Sequence, residues 1–304
     1  MSAARILICD PIDSEGVEKL RKAGFIIDFL YTKESLKKVI QEYDVLIVRS
    51  RTKVTREIIK HGRRLRLIAR AGSGIDNIDI KAAEERGITV LNTPEAPADS
   101  VAELTIGLMI ALARKIVLAD SSMKQERWIK KELKGLLLKD RKLGLIGLGN
   151  IGLRVARIAK AMGMKILVTK RSPPPLEILK SLEAEFLSLD ELLRRSDIVS
   201  IHVPLTEETR RIIGAKEISK MKDGAFLINT SRGEVVDEEA LLNALKSGKL
   251  SGAALDVYEV EPPRNWELIK LPNVICTPHI GAQTVEAQRI ASVMIADKII
   301  RFFK

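Results

Sequence analysis

The chain has 304 residues, 46% of them hydrophobic, 30% charged and only 4% aromatic, enough for two domains with cores of their own and too little for a long disordered tail. Its net charge of +11 invites a nucleic-acid partner. Against that reading, basic residues alternate with glutamates, as in KAAEERG and DEEALLNALKSGK, with no basic block or aromatic-interleaved strip, so a solvated surface with a few basic ligand sites is expected instead.

The opening MSAARILICDPI reads as a buried strand and turn, not a signal peptide. No run approaches the roughly 20 apolar residues of a membrane span, so a cytoplasmic protein without a membrane partner is expected. Cys9 and Cys276 sit far apart in apolar runs and read as free, buried thiols. The three histidines, His61, His202 and His279, lack ligand spacing, so no metal is expected.

In chain order, ARILICD, FIIDFLY, VLIVRS, LRLIARAG and TVLNTP are expected strands, separated by helical patterns such as SEGVEKLRKAG and KESLKKVIQEY. This alternation implies a parallel sheet covered by helices on both faces. Asp99 to Met123 then reads as one long helix, with Asp99 or Ser100 as N-cap and Glu103 closing a capping box. Its middle, VAELTIGLMIALAR, is apolar on nearly every side, which suggests burial on two sides and a homodimer. A second alternating unit follows through RKLGLIGLGNIG, KILVTK, DIVSIHVPL, AFLINTS, SGAALDVY and NVICTPH, before a final amphipathic helix from Thr284 to Phe303. The fold class is α/β with two doubly wound parallel-sheet domains, one inserted in the other: residues 1–98 plus 283–304, and residues 99–282. Two crossings between them would form a hinge over a cleft.

Gly147-Leu148-Gly149-Asn150-Ile151-Gly152 follows a strand and opens a helix, the context in which G-x-G-x-x-G binds a dinucleotide. Gly147 permits the tight turn, Gly149 lets backbone approach the pyrophosphate, and Gly152 lets helix and strand pack closely. The strand KILVTK should end in the residue that reads the adenosine ribose. There stand Lys170, Arg171 and Ser172 in place of the usual acid, so a 2′-phosphate would be attracted and NADP(H) is favoured over NAD(H).

Three further segments fall in loops after strands: Asn229-Thr230-Ser231-Arg232-Gly233, Leu255-Asp256-Val257-Tyr258-Glu259-Val260-Glu261-Pro262, and Thr277-Pro278-His279-Ile280-Gly281. His279 suits proton donation to a developing alkoxide, Glu261 can orient its ring, and Arg232 can grip a carboxylate in a bidentate fork.

With these motifs in this order, the chain resembles the D-isomer-specific 2-hydroxyacid dehydrogenase family over nearly its whole length. Within it the chain is most similar to short D-3-phosphoglycerate dehydrogenases. The resemblance implies a Rossmann cofactor domain inserted into a flavodoxin-like substrate domain, with Arg232, Glu261 and His279 catalytic. It implies that Asp256 contacts the nicotinamide carboxamide and that His202, Val203 and Pro204 wall the cofactor pocket, with Thr209, Thr230 and Gly281 completing the cofactor set. In the first domain it assigns the substrate carboxylate to the loop at Ala71, Gly72, Ser73 and Gly74, and a phosphorylated substrate to Arg49, Ser50 and Arg51. Two departures stand out: Pro97 replaces an asparagine common in relatives, and Lys170 replaces the ribose-binding acid. With the sequence ending at Lys304, no appended regulatory domain is expected, so feedback control by serine is not carried over. A phosphoglycerate dehydrogenase opening serine biosynthesis is thus the leading expectation. An NADPH-dependent glyoxylate/hydroxypyruvate reductase is the alternative, and a dinucleotide-sensing scaffold the non-enzymatic one.

Overall fold

The computed structural model describes residues 4–30 and 36–304. Met1–Ala3, Tyr31 at the end of the second expected strand, and Lys33–Ser35 at the start of the second expected helix lie outside the described residues. The elements run β1 (Arg5–Ile8), α1 (Ser14–Lys22), β2 (Ile26–Phe29), α2 (Leu36–Val39), β3 (Val45–Val48), α3 (Arg56–His61), β4 (Leu67–Arg70), α4 (Ile80–Glu85), β5 (Thr89–Asn92), α5 (Ala98–Ala113) and α6 (Ile116–Lys124). They continue with β6 (Lys142–Ile146), α7 (Asn150–Ala161), β7 (Lys165–Thr169), α8 (Leu176–Leu182), β8 (Glu185–Phe186), α9 (Leu189–Arg195), β9 (Ile198–Ile201), α10 (Ala215–Lys220) and β10 (Ala225–Asn229). The last are α11 (Glu238–Lys246), β11 (Leu250–Leu255), α12 (Trp266–Ile269), β12 (Val274–Cys276) and α13 (Val285–Phe303).

The chain divides into two compact units, residues 1–98 with 282–304, and residues 99–281. In the first, five parallel strands are ordered β2-β1-β3-β4-β5. Apolar clusters fill both faces: Leu7, Leu46, Ile68 and Ile59 on one, Ile6, Ile47 and Leu67 with Val17 of α1 and Ile295 of α13 on the other. Such burial on both faces is why β3 is a continuous apolar run without alternation. Helix α13 starts where the Thr284 hydroxyl accepts the Ala287 N–H at 3.2 Å. It lies so close to α1 that a Cβ on Gly16 would sit 2.2 Å from Ser292 Oγ.

In the second unit seven parallel strands run β12-β11-β10-β9-β6-β7-β8. The two-residue edge strand β8 was not anticipated from sequence. Strands β9 and β10 are buried along their whole length. Strand order reverses between β1 and β3 in one sheet and between β6 and β9 in the other, the switch points at which doubly wound sheets gather ligands.

The expected helix from Asp99 to Met123 is two helices, α5 and α6. Two features end α5: Ala113 gives its carbonyl to the Leu136 N–H at 2.7 Å, and Lys115 turns left-handed at φ 53°. The expected N-cap also differs. Helix α5 begins at Ala98, which places Asp99 in its first turn, paired with Arg154, while the Ser100 hydroxyl donates to the Gly281 carbonyl at 2.6 Å. The side chains of Val101, Ala102, Ile106, Leu108, Met109 and Leu112 are buried by the chain itself, so one subunit covers most of the apolar surface that had suggested a partner. Cys9 is buried and Cys276 half-buried, and both are free.

Candidate active site

At the second switch point, Gly147 takes φ +98°, and a Cβ there would lie 2.4 Å from the His202 carbonyl oxygen. A Cβ on Gly152 would lie 2.4 Å from the Gly147 carbonyl oxygen. On Gly149, the N-cap of α7, it would meet no atom of the described residues within 4 Å. The turn is therefore packed against protein at both ends and open in the middle, beside the free N–H groups and partial positive charge of a helix start. Beside it, His202 meets the Ser200 hydroxyl through Nε2 at 2.9 Å, and its buried Nδ1 has no partner among the described residues. Burial pushes the His202 imidazole down to about 4, so it is neutral near pH 7.

The catalytic candidates stand in the loops that leave β10, β11 and β12. His279 Nδ1 lies 3.0 and 2.8 Å from the two Glu261 carboxylate oxygens. Burial pushes the Glu261 carboxyl up, but the His279 hydrogen bond and charge, the Tyr258 N–H and the nearby charge of Arg232 outweigh it and hold the group below its ordinary 4.5. Arg232 Nη1 donates to the Ser231 carbonyl at 2.6 Å, and the Asn229 amide braces the loop by donating to the Arg232 carbonyl at 2.8 Å. His279 and Glu261 are thus in contact, and Arg232 is within electrostatic reach of Glu261. A proton-donating ring, a carboxylate partner and a fork-shaped cation suit reduction of a carbonyl next to a carboxylate.

The family model for D-isomer specific 2-hydroxyacid dehydrogenase, NAD binding domain, matches residues 106–281. The chain is 49% identical over 306 residues to a hydroxypyruvate reductase of Thermotoga maritima, covering 99% of each. It belongs to the D-isomer-specific 2-hydroxyacid dehydrogenase family. It is also 46% identical over 297 residues to a D-3-phosphoglycerate dehydrogenase of Methanocaldococcus jannaschii, an alignment that takes in 97% of this chain but only 56% of that one. Among solved structures, a glyoxylate reductase from Paecilomyes thermophila superimposes with a TM-score of 0.90 at 32% identity, covering 98% of this chain and 95% of that one. Two parallel-sheet units and family membership agree with the expected class, and a nicotinamide dinucleotide is the cofactor of this dehydrogenase. The open middle of the Gly147–Gly152 turn and the unpartnered His202 nitrogen fit such a group. No helix of the described residues is long and apolar enough to cross a membrane.

Other expected site residues of the dehydrogenase fall in several places. Lys170, Arg171 and Ser172, all exposed, follow β7 directly, and the charge of Arg171 helps lower the nearby Glu208 carboxyl. Val203 packs beside Gly147, and the Pro204 carbonyl accepts the Thr209 hydroxyl at 2.6 Å, closing a turn. The Thr230 hydroxyl lies 2.9 Å from that of Thr105 in α5, so it is spent on holding its loop. In the other unit, Ala71 and Gly72 are buried while Ser73 is half-buried, and the N–H groups of Ser73 and Gly74 have no acceptor among the described residues. After β3, Ser50 is exposed, while Arg49 and Arg51 both engage the β1 end. The Arg49 N–H donates to Asp10 Oδ2 at 2.7 Å, and Arg51 Nε lies 3.1 Å from Asp10 Oδ1.

Three supporting roles went unread in the sequence, one of them in Asp256, which was expected only at the nicotinamide. Asp256 is buried, and its two oxygens accept from Thr277 Oγ1 at 2.6 Å, the Ile280 N–H at 2.8 Å and the Gly281 N–H at 2.8 Å, pinning the turn that carries His279. An acid closing the otherwise apolar β11 was the available signal. The Tyr258 hydroxyl donates towards the Leu255 and Thr277 carbonyls, at 3.2 and 2.9 Å, and so joins the Glu261 and His279 loops. A Cβ on Gly233 would come within 1.8 Å of the Tyr258 backbone, so only glycine lets the Arg232 loop lie against the Glu261 loop.

Proposed function

We propose that this dehydrogenase reduces a small, unphosphorylated 2-keto acid of the hydroxypyruvate or glyoxylate kind to its D-2-hydroxy acid, with NADP(H) preferred to NAD(H). The observation that carries the reaction is the paired contact of His279 Nδ1 with both Glu261 oxygens. With Nδ1 so engaged, Nε2 is the nitrogen left to give a proton to the ketone oxygen, and Glu261 offsets the positive charge on the ring. Arg232 grips the substrate carboxylate and polarises the neighbouring carbonyl. In the other unit, the N–H groups of Ser73 and Gly74, which have no acceptor among the described residues, are the donors left in that turn for a carboxylate. When bound, the dinucleotide supplies the hydride; Gly147, Gly149, Asn150, Ile151 and Gly152 would hold its pyrophosphate, His202 and Asp256 its nicotinamide half, and Lys170 and Arg171 a 2′-phosphate.

The state of Arg51 supports an uncharged substituent on the substrate. Its guanidinium already answers Asp10 at 3.1 Å and the Cys9 carbonyl at 3.2 Å, and Arg49 Nη1 reaches the Pro11 carbonyl at 3.4 Å. Asp10, a carboxylate 2% exposed with the Thr52 N–H and hydroxyl also bound to it, offsets part of the Arg51 charge that would hold a substrate phosphate. The second reading is oxidation of 3-phosphoglycerate, the opening step of serine biosynthesis. It draws on the same two arginines and on the relative in Methanocaldococcus jannaschii. A steady-state panel of hydroxypyruvate, glyoxylate and 3-phosphoglycerate, each with both cofactors, decides: kcat/KM highest for 3-phosphoglycerate would overturn the first reading.

A cytoplasmic homodimer completes the proposal. It is supported by the exposed Ile116, Val117 and Met123 of α6 and by Trp128 and Leu137 just beyond it. Sedimentation finding a monomer at micromolar concentration would remove the dimer.

A further inference from the structure

A half-buried carboxylate with no part in the reaction described so far stands behind the Glu261 loop. Glu238 opens α11, whose N-cap is Asp237, and its Oε1 accepts the Glu259 N–H at 2.8 Å. Glu259 lies two residues before Glu261. Among the described residues its N–H is the last in the loop before Glu261 to have an acceptor. The upstream ties, through Gly233 and the Tyr258 hydroxyl, fix Tyr258; beyond it Arg211 and the Tyr258 N–H reach the Glu259 and Glu261 side chains, and the bond to Glu238 is the one that holds the backbone.

The surroundings of Glu238 place it at a junction. Arg211, left-handed at φ 51°, reaches Glu259 at 3.5 Å and Asp237 at 3.6 Å. Cys276 ends β12, the strand that leads to His279. Burial and the charge of Glu238 raise its thiol against an opposing hydrogen bond from Tyr258. Burial also raises the Glu238 carboxyl, opposed by the Glu259 N–H and reinforced by the Glu259 charge. The charged and titratable groups around it are therefore Asp237 and Glu239 on its own helix, Glu259, Arg211 and Arg264 around a hollow of about 300 Å³, and Cys276 behind. A carboxylate withdrawn from water among other acids is kept for the bond it makes.

We propose that Glu238 is a positioning residue, which holds Glu261 against His279 by anchoring the loop at the Glu259 N–H. The proposal rests on the roles given to Glu261 and His279 above. Misplacing a catalytic partner by an ångström costs up to about 100-fold in rate, and partial loosening of one loop should cost about tenfold.

The test compares Glu238→Ala, which removes the acceptor, with Glu238→Gln, which keeps a carbonyl oxygen in its place. For keto-acid reduction by the intact protein, Glu238→Ala should lower kcat about tenfold and move the basic limb of the kcat/KM profile to lower pH, with dinucleotide affinity unchanged. Glu238→Gln should recover most of both. A merely structural residue would lower Tm and leave the limb in place. A folded Glu238→Ala protein with kcat and limb both unchanged overturns the proposal, as does equal loss in both variants with an unmoved limb. If Glu238→Ala does not fold, Glu238→Asp, which shortens the reach and keeps the charge, takes its place: a lowered kcat with a shifted limb supports the proposal, and wild-type values overturn it. Glu261→Gln run in parallel separates the two levels. If it leaves the limb unmoved, the His279–Glu261 reading itself fails. If it moves the limb and Glu238→Ala does not, only the role of Glu238 falls.

Discussion

Gly149→Ala and Gly152→Ala each add one methyl to the same turn and should fail in different ways. Gly149 has φ −89° and ψ −157°, backbone that alanine adopts freely, and its Cβ would meet no atom of the described residues within 4 Å. The folded protein loses only the N-cap preference of glycine over alanine, about 1 kcal/mol or less, which lowers Tm by no more than about 4 °C in a protein of this size. The same methyl would stand where the pyrophosphate approaches. Losing one charge-assisted hydrogen bond of about 1.5–3 kcal/mol weakens dinucleotide binding roughly 10- to 100-fold. At Gly152 the added Cβ would lie 2.4 Å from the Gly147 carbonyl oxygen, a backbone atom that cannot turn aside. Overpacking of this kind costs about 1–3 kcal/mol, offset in part by about 1 kcal/mol of helix preference for alanine, and it displaces Gly147 as well. Gly152→Ala should therefore lose stability and binding together, whereas Gly149→Ala loses binding alone. Thermal melts with and without dinucleotide, joined to calorimetric titration, read both quantities. A Gly149→Ala protein that binds NADP(H) and NAD(H) within twofold of wild type would refute the placement of the pyrophosphate at this turn.

Four other outcomes are expected. His279→Ala should lower kcat by about 100-fold or more, the usual worth of a general acid, while calorimetry finds dinucleotide affinity intact; near-normal turnover would remove His279 from the mechanism. Arg232→Lys keeps the charge and loses the planar fork, so KM for the keto acid should rise and kcat fall, and unchanged kinetics would end the bidentate assignment. Lys170→Asp combined with Arg171→Ala should move selectivity towards NAD(H) by about tenfold, with the wild-type preference eroding as salt screens the exposed pair; a wild type that already favours NAD(H) would contradict the NADP(H) reading. Because the Glu261 carboxyl is held below its ordinary 4.5, its ionised form stabilises the fold above that pH. The contribution should disappear as pH falls through the lowered value, so the Tm gap between wild type and Glu261→Gln should close on acidification below about pH 4.5; a gap that widens there reverses the sign.

The strands were legible because each fully buried parallel strand is an apolar run bounded by glycine, proline or charge. In the glycine-rich turn, Gly147 and Gly152 were legible because each answers a steric demand, a left-handed φ at the first and a backbone oxygen 2.4 Å from a Cβ at the second. Less could be read where the deciding partner lies far along the chain. The end of α5 has no helix breaker in Ala113-Arg114-Lys115, and the Leu136 N–H that stops it comes from a remote segment. Glu238 carries no signal at all, since an acid in the first turn of a helix is what any exposed helix would show. The resemblance placed Thr230 with the cofactor; that its hydroxyl meets Thr105 could not be read, because the partner lies 125 residues away and sequence says nothing about which way a side chain turns.

The His279 turn shows most directly why candidate site residues were easier to name than the groups that position them. His279 holds φ 53°, a left-handed conformation that costs an ordinary residue about 1–2 kcal/mol. Left free, the turn would relax and carry the ring away from Glu261. It is held because Asp256 bonds Thr277, Ile280 and Gly281 on either side of the strained residue, and the Ser100 hydroxyl takes the Gly281 carbonyl at 2.6 Å. Bonds to an ionised carboxylate contribute about 1.5–3 kcal/mol each, so three of them exceed the strain severalfold. The acid–base pair is therefore aligned by groups that need not touch the reacting atoms, and such groups follow from where the chain folds back on itself, which no local motif records.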